Sequence, residues 1–363
     1  MLETGWARSA EAFDACVDMG TVSNRSKSRM QVLEEWDMEN RELGGTSDKV
    51  LIRELRKSDL NDLLGLLPLC FAEEFAFSGF DPDHVTEMFN RAFGTTGRLF
   101  LGLMRLFGRE PMKFLVAEAD GKVVGSTIVS GRGKVGYVST VMVHPDYRRK
   151  GVATRLVTDA LSYVRKRKLE RAILDVDSTN ASARSLYVKL GFKTFEHLAF
   201  YVGETHSKYA LENASGVKIR EFQKADLNEV FNLIKASEDA NSLRIFDFTK
   251  KDLKVPFLQR VFSFGTQKKL VVVLGGRIVG YVEVSYTTPK ETGRISSINV
   301  NPDDGSIGID KLLIEAANNE IAEGKVGKIR IAVSTAKQQL VETVKDLGFR
   351  EVFLMEVMVK ELQ

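Results

Sequence analysis

A chain of 363 residues with 44% hydrophobic, 28% charged and 9% aromatic residues is long enough for two domains, each burying a core of its own. That composition excludes wholesale disorder and a fibrous chain, and no stretch approaches the roughly 18 uninterrupted apolar residues of a membrane-spanning helix. A net charge of +3 is too mild to imply nucleic acid, and two cysteines (Cys16, Cys70) with four scattered histidines offer neither a disulfide scaffold nor a metal site, so a cytoplasmic setting is expected.

Residues 1–48 mix Ser, Asn, Asp and Glu without a persistent apolar face and read as a loosely ordered extension; Glu3, Glu11, Asp14 and Asp18 argue against a mitochondrial-type presequence. From Val50 the pattern tightens. Val50–Ile52 with Leu55 predicts a strand, and Ser58-Asp59 starts a helix through Leu63, Leu64, Leu66 and Leu67. Eight phenylalanines spread over 75–114 read mainly as core, with a cleft wall or a surface-seeking amphipathic segment over Arg98–Phe107 as the alternatives. Lys113–Glu118 and Val123–Val129 flank Asp120-Gly121, a hairpin signal, and Gly136–Val143 is a further strand. Val152, Leu156, Val157, Ala160, Leu161 and Val164 recur at helical spacing between Gly151 and about Lys168. A short strand at Ile173–Val176 and a helix at Ala181–Leu190, closed by Gly191, follow.

The second half repeats that order. Val50-Leu-Ile-Arg-Glu-Leu-Arg-Lys-Ser-Asp-Leu-Asn-Asp is echoed from Val217 as Val-Lys-Ile-Arg-Glu-Phe-Gln-Lys-Ala-Asp-Leu-Asn-Glu. Pro145 and Pro302, Gly151 and Gly308, and Gly191-Phe192 and Gly348-Phe349 all stand 157 residues apart. A repeat this long is a duplicated α/β domain rather than a solenoid. The boundaries expected are 49–204 for the first copy, 205–216 for a polar linker and 217–363 for the second.

The stretch Val141-Met-Val-His-Pro-Asp-Tyr-Arg-Arg-Lys-Gly-Val-Ala-Thr carries the chemistry. A strand ends at Val143, the chain turns at Pro145, and a helix opens directly behind Gly151. Unpaired N–H groups of a first helical turn, with the positive end of the helix dipole, suit a pyrophosphate, and Arg148, Arg149 and Lys150 add charge at the rim.

Two motifs give this chain a family likeness. Arg148, Gly151 and Ala153 match Arg/Gln-x-x-Gly-x-Gly/Ala, and Asn180, Ala183, Tyr187, Gly191 and Phe192 match Asn-x-x-Ala-x-x-x-Tyr-x-x-x-Gly-Phe. In both, the sequence resembles the GNAT superfamily of acyl-CoA-dependent N-acyltransferases, over 50–203 strongly and over 217–360 as a faded copy. The resemblance implies an α/β fold of two tandem domains, each a mixed, mostly antiparallel central sheet flanked by helices. It implies acetyl-CoA as acyl donor, with no metal, held by main-chain groups of Val141, Met142 and Val143 and by the loop and first turn, Arg148, Arg149, Lys150, Gly151, Val152, Ala153 and Thr154, with Asn180 touching it. Tyr187 is then expected to protonate the leaving thiolate. The sequence looks closest to the branch that acetylates protein N-termini, including the ribosomal-protein alanine acetyltransferases. There a Glu five residues before the Asn serves as base; here that position is Asp175, acting through water or merely structural. Members with a Glu on the strand before the loop would need one near Tyr137, and none is there.

The second copy keeps the landmarks and loses the chemistry. Arg148 becomes Gly305, Lys150 Ile307, Ala153 Asp310, Asp175 Ala332, Asn180 Lys337 and Tyr187 Val344. The expectation is an N-acetyltransferase active in its first copy and silent in its second, with a protein or peptide amine (N-terminus or lysine) as the favoured acceptor. A small-molecule amine such as a polyamine, amino acid or antibiotic is the rival substrate, and a non-catalytic acyl-CoA-binding regulatory module the rival class. No nucleic-acid partner is expected.

Overall fold

The computed structural model describes residues 50–70, 112–206, 209, 216–254, 266–286 and 292–362. The extension over 1–48, the aromatic stretch over 71–111 and most of the linker lie outside them. In chain order the elements are β1 (Leu51–Glu54), α1 (Leu60–Cys70), β2 (Met112–Ala119), β3 (Lys122–Arg132), β4 (Val135–Val143), α2 (Val152–Lys166), β5 (Arg171–Asp177), α3 (Ala181–Lys189) and β6 (Lys193–Glu204). The repeat follows as β7 (Val217–Glu221), α4 (Leu227–Ser237), α5 (Ala240–Ile245), β8 (Thr266–Leu274), β9 (Arg277–Tyr286), β10 (Thr292–Val300), α6 (Ile309–Glu323), β11 (Lys328–Ser334), α7 (Gln338–Asp346) and β12 (Arg350–Glu361). It is a mixed α/β fold of two like copies. The described chain divides into two compact units, one of 50–70, 112–174, 188–191 and 360–362, the other of 175–187 and 192–359.

In the N-terminal unit the strands run β1-β2-β3-β4-β5, antiparallel until β4 meets β5 in parallel. Asp120 and Gly121 close the β2–β3 hairpin with φ of 51° and 79°, the left-handed pair a tight hairpin requires. Helix α2 buries the stripe read from its spacing, Val152, Leu156, Val157, Ala160, Leu161 and Val164, against β3 and β4. Gly125 on β3 makes that approach possible: a Cβ there would stand 2.8 Å from the Met142 carbonyl oxygen and 3.2 Å from Leu156 Cδ1.

In the C-terminal unit the order is β12-β6-β11-β10-β9-β8-β7. Strand β6 closes the first copy in sequence, yet its partners on both sides come from the second: Leu198–Glu204 pairs with β11 and Lys193–Val202 with β12, both antiparallel. Alternation along β8 and β9 sends Leu270, Val272, Val279 and Val282 to one face, under α6 and α7, and Val271, Ile278 and Tyr281 to the other, under α4.

The duplication extends to backbone strain. Thr140 and Ser297 (φ 54° and 52°), Lys168 and Lys325 (55° and 57°), Gly151 and Gly308 (80° and 70°) and Gly191 and Gly348 (86° and 83°) are pairs 157 residues apart. It extends also to ion pairs. Arg53 donates to both Asp59 oxygens at 2.6 and 3.0 Å, and Arg220 to both Asp226 oxygens at 2.6 and 2.9 Å. Each Asp also accepts a backbone N–H three residues back, from Arg56 and from Gln223. Burial alone would raise the Asp59 carboxyl, but these partners hold it below the ordinary range. The repeated Ile-Arg-Glu…Asp-Leu-Asn is therefore a turn-locking motif.

Candidate functional site

The loop after β4 is built by a change of backbone state. The β4–β5 pairing covers Val135–Tyr137 with Arg171–Ile173 and ends there. A bulge then interrupts the β3–β4 ladder at Thr140, whose φ of 54° re-aims the strand. His144 N–H donates to the Val124 carbonyl at 2.9 Å, so Val143, one residue earlier, turns its own N–H and C=O away from β3. The Val143 carbonyl accepts Arg148 Nε at 3.1 Å, and Cys70 Sγ lies 3.5 Å from the same oxygen. Met142, between Val141 and Val143, is 1% exposed.

Pro145–Tyr147 forms a single 3-10 turn capped by His144, whose Nδ1 accepts the Asp146 N–H at 3.2 Å. His144 is buried and serves the turn. Arg149 takes φ 61°, Lys150 stacks its ammonium 5.1 Å from the Tyr147 ring centre, and Gly151 takes φ 80° as N-cap of α2. Arg148, Arg149 and Lys150 are all exposed. The first α-helical bond runs from Arg155 N–H to the Gly151 carbonyl. The N–H groups of Val152, Ala153 and Thr154 precede it, and no side chain caps them. A Cβ at Gly151 would meet nothing within 4 Å, so the approach to those donors is open. This chemistry, clustered N–H donors under a dipole with three cations at the rim, fits the diphosphate of acetyl-CoA.

The corresponding place in the second copy carries a carboxylate. Asp310, 6% exposed, accepts the Lys311 N–H at 2.9 Å on one oxygen and the Thr343 hydroxyl at 2.6 Å on the other. A carboxylate thus sits at the first turn of α6. At the matching strand bulge the Asn299 side chain, 1% exposed, donates to the Ser297 carbonyl at 2.8 Å and accepts the Ser237 hydroxyl at 2.9 Å.

Of the second motif, Asn180, Ala183, Tyr187 and Phe192 lie in the C-terminal unit. Asp175, on β5, is partly buried, and burial pushes its carboxyl up to about 7. Tyr187 is 5% exposed, the one buried residue of α3, with its ring edge-on to Phe192 at 6.1 Å. Burial first, and the charge of Asp175 second, raise its phenol far above the ordinary value, so it holds its proton at neutral pH. Asn180 caps its own helix, its Oδ1 accepting the Ala183 N–H at 3.1 Å; its side-chain amide remains the donor for a ligand. Sequence reasoning missed a second raised carboxyl, Glu196 on β6, pushed up to about 7 by burial first. A charge inside the apolar run Phe195–Phe200 was the available signal. Among the described residues no group of three or more His, Cys, Asp or Glu is placed to hold a metal ion, and no helix is long and apolar enough to cross a membrane.

A model of the acetyltransferase (GNAT) family matches residues 74–192. Over 159 residues the chain is 32% identical to the catalytic subunit of the N-terminal acetyltransferase B complex of Arabidopsis thaliana, covering 41% of this chain and 79% of that one. It is 34% identical over 98 residues to mycothiol acetyltransferase of Streptomyces coelicolor, covering 26% of this chain and 32% of the relative, and so spans about a third of that relative's length. A GCN5-related N-acetyltransferase of Sphaerobacter thermophilus superposes with a TM-score of 0.61 at 18% identity, over 86% of this chain and 96% of that one. A tandem GNAT protein from the clavulanic acid biosynthesis pathway does so with 0.58 at 16%, over 86% and 98%. At these identities the structural likeness is one of fold.

Proposed function

Because the chain belongs to the GNAT acetyltransferase family, we propose that it transfers the acetyl group of acetyl-CoA to an amine, with the first copy catalytic and the second silent. The observation that carries this reading is the contrast between two helix starts. A Cβ at Gly151 or at Gly308 would meet open space alike, but the N–H donors behind Gly151 are flanked by Arg148, Arg149 and Lys150, whereas the start of α6 already holds the carboxylate of Asp310. Like-charge repulsion between that carboxylate and a diphosphate supports a second copy without donor binding.

In this proposal the first-turn N–H groups of Val152, Ala153 and Thr154 hold the diphosphate, Asn180 contacts the same ligand, and main-chain groups of Val141–Val143 hold the arm. The Val143 N–H, turned away from β3, meets the negative charge that grows on the thioester oxygen as nitrogen attacks. Asp175 accepts the amine proton, directly or through one water, and Tyr187 returns a proton to the departing thiolate as the C–S bond breaks. The two proton positions are coupled. Once Asp175 is protonated, the second cause of the raised Tyr187 phenol disappears, and the phenol becomes more acidic at the step that needs its proton.

A protein or peptide N-terminus is the acceptor this site suits best. At pH 7 a lysine, near 10.4, needs about 4.6 kcal/mol to become neutral, whereas an α-amine near 7.7–8.0 needs about 1–1.4 kcal/mol. A carboxyl near 7 is matched to the second task. The Arabidopsis relative, named for N-terminal acetylation, supports the same choice. A small-molecule amine is the second reading, favoured by the match to a protein named for mycothiol.

Calorimetric titration with acetyl-CoA, followed by a panel of peptides with free N-termini, tests the proposal. One binding site per chain is expected, and Tyr187→Phe lowers kcat by about 10²-fold or more with acetyl-CoA affinity retained. Two sites, or wild-type turnover in Tyr187→Phe, would overturn it.

A further inference from the structure

Helix α3, which carries Tyr187, is poorly seated by apolar contacts. It buries Tyr187 alone, whereas its repeat α7 buries Leu340 and Val344 and packs Val341 into the same core. A helix of nine residues does not hold itself in water, so α3 needs another tether. That tether comes from β12, more than 150 residues further along the chain. Glu356, 3% exposed, pairs with Arg184 Nε at 3.0 Å through one carboxylate oxygen and accepts the Thr194 hydroxyl at 2.8 Å through the other. The Ser178 N–H, at the approach to α3, donates to the Leu354 carbonyl of the same strand at 2.9 Å. Arg184 lies three residues before Tyr187, one turn away on the helix surface.

The anchor is particular to this copy. The position of Arg184 is Val341 in α7, and the residue 157 before Glu356 is Ala199 on β6. This Arg–Glu tether to a neighbouring strand is therefore present where the helix carries a tyrosine, whereas α7, which carries Val344, is held by the Thr343 hydroxyl on Asp310. We propose that Glu356, acting through Arg184, is a positioning residue for Tyr187, and that the last strand of the catalytically silent copy thereby serves the reaction of the first. This rests on the assignment of Tyr187 as proton donor made above.

The test uses the full chain, acetyl-CoA and the peptide giving the highest turnover in the panel. Glu356→Gln removes the buried charge; Arg184→Met, at a half-exposed surface position, removes the other end of the tether without leaving a cavity. Each variant should lower kcat by about tenfold or more with KM for acetyl-CoA within about twofold. In a Tyr187→Phe background the same substitutions should cost less than about twofold, because they act through the phenol. Amide hydrogen exchange over 181–189 should quicken by about tenfold while 338–346 is unchanged. Unchanged exchange over α3, or losses that multiply in full with Tyr187→Phe, would overturn the positioning role alone. Wild-type turnover in Tyr187→Phe would overturn the functional reading and this inference together.

Discussion

Replacing Asp175 with asparagine separates what its carboxyl does for catalysis from what it does to stability. The side chains are nearly isosteric, and only the carboxyl ionises. Burial moves it from an ordinary 3.8 to about 7 in the folded chain. Between those values the folded protein keeps a proton that the unfolded chain has given up, so stability falls as pH rises through the window and levels off above it. About three units correspond to about 4 kcal/mol at 1.36 kcal/mol each; a partly exposed group keeps some of its water, so about 2 kcal/mol is the better expectation. The two proteins should be nearly equal in urea denaturation at pH 4, with Asp175→Asn more stable by about 2 kcal/mol at pH 8.5. Turnover should move the other way: kcat/KM falls, and its limb near pH 7 is lost, leaving only that of the acceptor amine near 7.7–8.0. A stability difference that does not grow with pH would refute the burial argument. A limb retained near pH 7, below that of the amine, would refute the assignment of Asp175 as base.

Other consequences follow from the loop, the ion pairs and the glycines. Gly151→Asn should keep acetyl-CoA affinity within a few-fold, since Asn tolerates φ of 80° and its Cβ meets open space, whereas Gly151→Asp should lower it by about tenfold or more by calorimetry, and Gly308→Asp should leave it unchanged. Arg53→Met leaves the buried Asp59 carboxylate without its main cation and should cost about 3 kcal/mol in urea melts; Arg220→Met, at a more exposed pair, should cost about 1 kcal/mol. Gly125→Ala drives a Cβ against the Met142 carbonyl and should cost about 2–3 kcal/mol, more than Gly280→Ala, whose nearest contacts are side chains of Ile309 and Leu313.

Local features were legible in the sequence because local physics makes them. The Asp120-Gly121 turn, the stripe Val152–Val164 and the glycine that opens α2 each depend on neighbours within a few residues. The repeat was legible because the same constraint recurs at a fixed spacing, and Thr140 and Ser297 show that it includes strain that no residue type announces. What could not be read depends on distant partners. Nothing near Lys193–Glu204 says that its neighbours are β11 and β12. Nothing near Arg184 points to Glu356, and the raised carboxyl of Asp175 follows from burial that only the fold supplies. For Asp310 a negative charge at the cradle was legible, but its bond to Thr343 was not.

The seating of β6 between β11 and β12 has a consequence during synthesis. Both partners leave the ribosome only after β6, with β12 starting about 145 residues behind its end. At about 5–20 residues per second, β6 waits roughly 7–30 s before its second edge is covered. Until β11 is made the apolar run Leu198–Tyr201 is a strand without neighbours, and until β12 is made it keeps one bare edge, available to other nascent chains on the same message. Slower translation through the second copy would lengthen that exposure without altering a single residue. A stall just before residue 328 would leave a first copy complete in sequence whose final strand has nothing to join.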